Sequence, residues 1–238
     1  MRRIILIIAA LVVAPTLYGQ NIPQYRNDVV ELSAEYKQGN AFQQDLLLYA
    51  DMLSSTHPYY ADAKHRKGLE RQVRKVYKEC GKIEDVADFK LTLARLAASL
   101  GDGHTAISYW SNLERIFPVR LSLDINQPAI VDVTSEEHRA LLGKEVKAVN
   151  GRPLTKILRS AREIVSADND VNFLNLVKEY LMFAEFWSFL DMSDERLTLT
   201  FADGSSAEVE AINKRELRIA QLQRNTQERV TAMRNTLF

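Results

Sequence analysis

The chain has 238 residues, room for one large domain or two small ones, and its 46% apolar and 26% charged residues are the balance of a globular protein. The formal net charge is zero, so no whole-molecule field draws it to nucleic acid or to an acidic membrane. Its one cysteine, Cys80, excludes an internal disulfide.

In chain order, Arg2 and Arg3 precede an unbroken apolar run, Ile4 to Ala14, which Pro15 breaks before Gly19 and Gln20. A basic start, an apolar run too short to span a bilayer and a small residue at the exit read as a secretory signal over residues 1–19. The expectation is an exported protein, periplasmic or extracellular, with no membrane span once the signal is removed. No cysteine lies near the exit to carry a lipid.

Residues Gln20 to Asn40 are polar. Three amphipathic helices are then predicted, carrying Phe42, Leu46, Tyr49 and Leu53; Leu69, Val73, Val76 and Cys80; and Val86, Phe89, Leu93, Leu96 and Leu100. Steps of three and four place each set on one helix face. Cys80 falls on the second stripe and reads as a buried apolar residue rather than a reactive thiol.

After Leu100-Gly101-Asp102-Gly103-His104-Thr105 the period changes. Thr105 to Trp110, Pro118 to Leu123 and Ala129 to Val133 favour strands, and Glu136 to Leu142 a short helical piece. Val146 to Val149 reads as a strand closed by an Asn150-Gly151 turn, after which Pro153 opens a helix to about Val165. Val171 to Leu190 reads as one aromatic-rich helix buried on more than one side, with Lys178, Glu179 and Glu185 excluding a membrane span. Arg196 to Phe201 and Ala207 to Ile212 form a hairpin about Asp203-Gly204, and Asn213 to Phe238 a polar helical tail with six cations against two anions.

The chemistry narrows to one place. Glycines flank Asp102, which lets the backbone take φ > 0 and point an imidazole into a cleft. Histidine titrates near neutrality, so His104 is the candidate general base. His57, before Pro58, marks a helix stop, and His65 and His138 sit among charged neighbours. No histidine pairs at i, i+4 spacing and there is no cysteine cluster, so neither a metal nor a cofactor is expected. No Gly-x-Ser-x-Gly elbow, Ser-x-x-Lys pair or phosphate-cradling glycine loop occurs. Gly204-Ser205-Ser206 is explained by hairpin chemistry. The chain offers a base and no nucleophile for it.

Three segments in order resemble the N-terminal half of the C-terminal-processing, or tail-specific, serine peptidases, the family that includes the tricorn core. They are the helix ending at His57-Pro58, the helix running into Leu100-Gly101-Asp102-Gly103-His104-Thr105, and Leu142-Gly143-Lys144-Glu145-Val146-Lys147-Ala148-Val149-Asn150-Gly151-Arg152-Pro153-Leu154, which is similar to a stretch of that family's PDZ-like domain. The resemblance covers about Phe42 to Ile212. It implies an α+β protein, with a helical domain at residues 20–110, a PDZ-like β domain with a helical insertion at 111–212, and a basic helical tail at 213–238. It also implies that His104 is the base for a serine in a later domain; Gly103 replaces the polar residue that precedes this histidine in the tricorn.

The function expected from these features is an exported module that binds polypeptide segments or C-terminal peptides. Such a module is related to the tail-specific peptidases and catalytically incomplete as it stands. One alternative is a truncated or split serine endopeptidase whose nucleophile lies in a separate catalytic domain, with the aromatic helix as its docking face. Another is a structural envelope protein. Neither nucleic acid nor a cofactor is among the expected partners.

Overall fold

In the computed structural model, residues 33–107, 113–123, 129–133, 136–216 and 218 are described. The expected signal at 1–19 and the tail beyond Arg218 lie outside them. The fold is α+β. Contacts divide it into two compact units, Met1–Ala97 and Ala98–Phe238.

The first unit is helical: α1 (Ala34–Gln38), α2 (Ala41–Thr56), a 3-10 turn (Pro58–Ala61), α3 (Ala63–Cys80) and α4 (Val86–Ala98). Each start has a chemical cause. Ser33 caps α1, Asn40 and Gln43 form a reciprocal capping box on α2, and Asp62 caps α3. Pro58 ends α2 because the residue before a proline is driven out of helix; His57 takes ψ 122 and its Nδ1 accepts from the Tyr59 amide at 3.2 Å. Two amides fix how α2 lies on α3. Asn40 Nδ2 donates to the Cys80 carbonyl at 3.2 Å, and Gln43 Nε2 to that of Tyr77 at 3.0 Å. The start of α2 therefore meets the end of α3. The core holds Leu46, Tyr49, Leu53, Leu69, Val73, Cys80, Phe89 and Leu93, all buried. Burial, then the neighbouring Glu79 charge, pushes the Cys80 thiol up to about 11, which suits an unreactive packing residue.

The second unit has three small antiparallel sheets. β1 (Arg115–Ile116) pairs with β8 (Ile212–Asn213), and β2 (Val119–Ser122) with β3 (Ala129–Val133). A four-stranded sheet runs β5 (Arg152–Pro153), β4 (Val146–Val149), β6 (Arg196–Phe201), β7 (Ser206–Glu210). Asn150 and Gly151 turn β4 into β5 with φ of 49° and 74°, both in the left-handed region that an Asn-Gly pair tolerates. Asn150 Oδ1 also accepts from the Thr198 amide at 2.6 Å, which fixes the register against β6. Helices α5 (Leu154–Arg162), α6 (Asp170–Tyr180) and α7 (Ala184–Ser188) complete the unit. Its core is built on Trp187, Phe117, Phe186, Ile157, Val177, Val149, Leu197 and Leu199, each under 2% exposed.

Several elements refine or depart from the sequence expectation. The single helix over Val171–Leu190 is two, because Phe183 is extended and bridges Ile116 while the Phe117 amide donates to the Met182 carbonyl at 2.8 Å. A strand contact made across the unit thus interrupts a helix that periodicity favours. The helix after Pro153 stops at Arg162, and Glu136–Leu141 is 3-10. Residues 105–107 form no strand, and the rest of the expected Thr105–Trp110 strand lies outside the described residues. No described helix is long and apolar enough to cross a membrane.

Candidate functional site

The helix that leads to His104 ends for a stated reason. Gly101 takes φ 66° and its amide returns to the Ala98 carbonyl at 3.1 Å, a left-handed stop that glycine supplies without strain. Asp102 then organises the turn. Its Oδ1 accepts from the His104 amide at 3.1 Å, its Oδ2 from the Thr105 hydroxyl at 2.6 Å, and its carbonyl from the Thr105 amide at 3.2 Å. The His104 ring stands out from this turn, its side chain 92% exposed, with Nδ1 3.4 Å from Asp102 Oδ1. A neutral ring with its Nδ1 proton toward that carboxylate presents the Nε2 lone pair outward, the orientation a general base needs.

A distant segment holds the turn from the other side. Asp168 Oδ1 accepts from the Gly103 amide at 2.8 Å across 65 residues of sequence. The approach is so close that a Cβ on Gly103 would sit 2.8 Å from Asp168 Oδ2 and 3.2 Å from Asn172 Oδ1. A Cβ on Gly103 would therefore have to push the Asp168 carboxylate aside, at the expense of its bond to the Gly103 amide. We expect Gly103→Ala to cost about 1 kcal/mol, through displacement of the Asp168 carboxylate and loss of its exposed hydrogen bond to the Gly103 amide. On an Asp168→Ala background the same change should cost well under half as much. Urea denaturation of the four proteins checks this double-mutant cycle, and equal costs on both backgrounds would refute the contact.

Asp102, His104 and Asp168 offer ligand atoms that all lie within 4.8 Å of one another, and these are the described residues that could hold a cation. Three of their four carboxylate oxygens already accept from the turn itself, so the cluster's demonstrated work is to shape that turn.

The other sequence-flagged residues fall elsewhere. His57 is a helix cap. His65 is not freely solvated: it stacks on Tyr59 at 3.8 Å with Nδ1 2.9 Å from the Tyr59 carbonyl. His138 is also half-buried. Ser205 does meet a lysine, with Lys144 Nζ donating to Ser205 Oγ at 2.8 Å. That lysine is also ion-paired with Asp203 at 3.0 Å. The Ser205 hydroxyl and amide, then Lys144, hold the Asp203 carboxyl down to about 2, as hairpin chemistry requires. Among the described residues no serine or threonine hydroxyl is bonded to the His104 ring. An open depression of about 250 Å³ lies apart from this turn, lined by Leu113, Glu179, Tyr180, Phe183 and Lys214.

The fold resembles that of CPAF. Structures of this chlamydial tail-specific-protease-like serine protease match at TM-score 0.53 and 16% identity for mature CPAF, and at 0.55 and 18% for its complex with lactacystin. A serine-to-alanine mutant of CPAF matches at 0.54 and 16%. The matches cover 76% of this chain and 35%, 35% and 34% of the respective CPAF chains, so this chain spans about a third of their length. No protein-family model and no curated protein sequence matches it.

The sequence singled out Asp102 and His104 because both lie on one Gly-flanked turn. It missed Asp168 and Asn172. Their signal in the chain is an ordinary helix-start cluster, Asp168-Asn169-Asp170, which gives no hint of a partner far upstream.

Proposed function

We propose that this chain is an exported polypeptide-binding module of the tail-specific serine peptidase type, with its PDZ-like region at residues 111–212. It carries His104 as a general base and is catalytically incomplete as it stands. The observation that carries the reading is the Gly101–Thr105 turn, which presents an exposed imidazole backed by Asp102, in a fold similar to that of a serine protease. A general base works within about 3 Å of the proton it takes, so His104 needs a hydroxyl brought to its free nitrogen. Peptide capture follows sheet physics. Among the described residues β2 pairs only with β3, and an extended peptide adds as a further strand along its other edge, main-chain hydrogen bonds giving affinity.

The second reading is a split or truncated serine endopeptidase, supported by the likeness of the fold to that of CPAF. One experiment addresses both. Fluorescent peptides ending in a free carboxylate, and their amidated counterparts, are titrated into the protein and then analysed by mass spectrometry. The binding module binds the free-carboxylate peptides more tightly and leaves them uncut. Equal binding, or none, overturns it. Cleavage by this chain alone that His104→Ala abolishes would show a nucleophile within it. For the second reading, adding a protein that carries a serine-containing α/β domain restores hydrolysis, and His104→Ala then lowers the rate at least about a hundredfold.

A further inference from the structure

The neutral net charge conceals a strong local segregation. Helix α3 carries seven lysines and arginines against Glu70 and Glu79. At 100° per residue, six of the seven cations, Lys64, Lys67, Arg71, Arg74, Lys75 and Lys78, fall within about 50° of one direction. All six are exposed. The buried residues Leu69, Val73 and Cys80 lie on the opposite side, and the two glutamates point about 90° away from the stripe. From Lys64 to Lys78 the row runs about 21 Å along the helix axis.

This face works against the helix that bears it. Lys67 and Arg71, Arg71 and Lys75, and Arg74 and Lys78 are like charges at i, i+4, which destabilise a helix. Lys64 stands in the first turn, where the helix dipole disfavours cations and where α3 has no acid. Among the described residues none of the six is in an ion pair with a carboxylate. The neighbouring α2 carries no lysine or arginine that would share the field, and its acids are not paired with the stripe. Among the described residues no carboxylate is ion-paired with the stripe, which leaves its positive charge on an exposed face.

We propose that the outer face of α3 docks this protein on an anionic lipid surface. A straight row of cations on one helix matches a flat array of negative headgroups, each lysine or arginine adding about five-fold to the partition. The stripe has no aromatic residue between its cations on which bases could stack, which argues against a single-stranded nucleic acid. No apolar residue flanks the cations on the outer face, so the contact is electrostatic and does not insert.

The test uses the full chain and two vesicle types, pure phosphatidylcholine and phosphatidylcholine with about a third phosphatidylglycerol. The readout is the ratio of the two partition constants, because the N-terminal apolar run would enter both alike. The ratio should be large at low salt and fall steeply as salt rises. A stripe variant, Lys67→Gln, Arg71→Gln, Arg74→Gln and Lys78→Gln, should reduce it by a factor of several hundred. A control with the same net charge, Lys82→Gln, Arg95→Gln, Lys156→Gln and Arg159→Gln, should change it less than tenfold. Circular dichroism confirms that both variants stay helical; a stripe variant that unfolds is replaced by the pairs Lys67→Gln with Arg71→Gln and Arg74→Gln with Lys78→Gln. A ratio near one, an equal loss in stripe and control variants, or tighter binding to a duplex oligonucleotide at matched salt overturns the proposal.

Discussion

Trp187→Ala is expected to lower the stability of the second unit by about 3–5 kcal/mol, the range for truncating a large buried ring. Trp187 is 1% exposed, and its Nε1 donates to the Leu181 carbonyl at 2.8 Å. Its ring meets Phe117 edge-on at 6.3 Å between centroids. Removing it leaves a cavity at the point where α6 gives way to the extended Met182–Phe183 segment, and leaves the Leu181 carbonyl without its partner. Trp187→Phe restores most of the apolar volume but not the donor, so about 1–2 kcal/mol should remain lost. Urea unfolding followed by circular dichroism checks both. A Trp187→Ala cost below about 1.5 kcal/mol, or a phenylalanine variant as damaged as the alanine one, would contradict this packing.

Phe89→Ala should produce a loss of about 3–4 kcal/mol in the helical unit. Phe89 is 2% exposed on α4, and its ring lies 5.0 Å from that of Phe42 on α2, tilted by 35°. Here no polar atom is at stake. Phe89→Leu should therefore recover most of the stability, with about 1 kcal/mol left for the poorer shape and the lost ring pair. The contrast between the two aromatic sites is the informative result. Leucine suffices where only volume matters, whereas at Trp187 phenylalanine still forfeits a hydrogen bond. Thermal unfolding of the three proteins decides it, and a leucine variant no better than alanine would show that the Phe42 contact dominates.

Much of the architecture was legible because it is locally coded. The stripes through Leu46, Leu69 and Phe89 declared their helices, and the caps at Asn40 and Asp62 lie within three residues of what they cap. Asn150-Gly151 announced a turn that its two positive φ values require. Failures occurred where a remote partner overrode the local signal. The helix over Val171–Leu190 is broken by a bridge to Ile116, which no window centred on Phe183 contains. The candidate site divides along the same line. Asp102, His104 and Thr105 hydrogen-bond among themselves, so reading four adjacent residues sufficed. Asp168 reaches Gly103 only because the chain returns.

The sequence alone therefore determined the helical stripes, the hairpin turns, the α+β class and the presence of one histidine on a glycine-flanked bend, since each depends on residues a few positions apart. Only the tertiary structure decided that Asp168 braces that bend, that the aromatic helix is split, and that among the described residues no carboxylate is ion-paired with the exposed cations of α3. Those outcomes depend on which groups long-range packing brings within a hydrogen bond or an ion pair of one another, and short-range pattern carries no record of that distance.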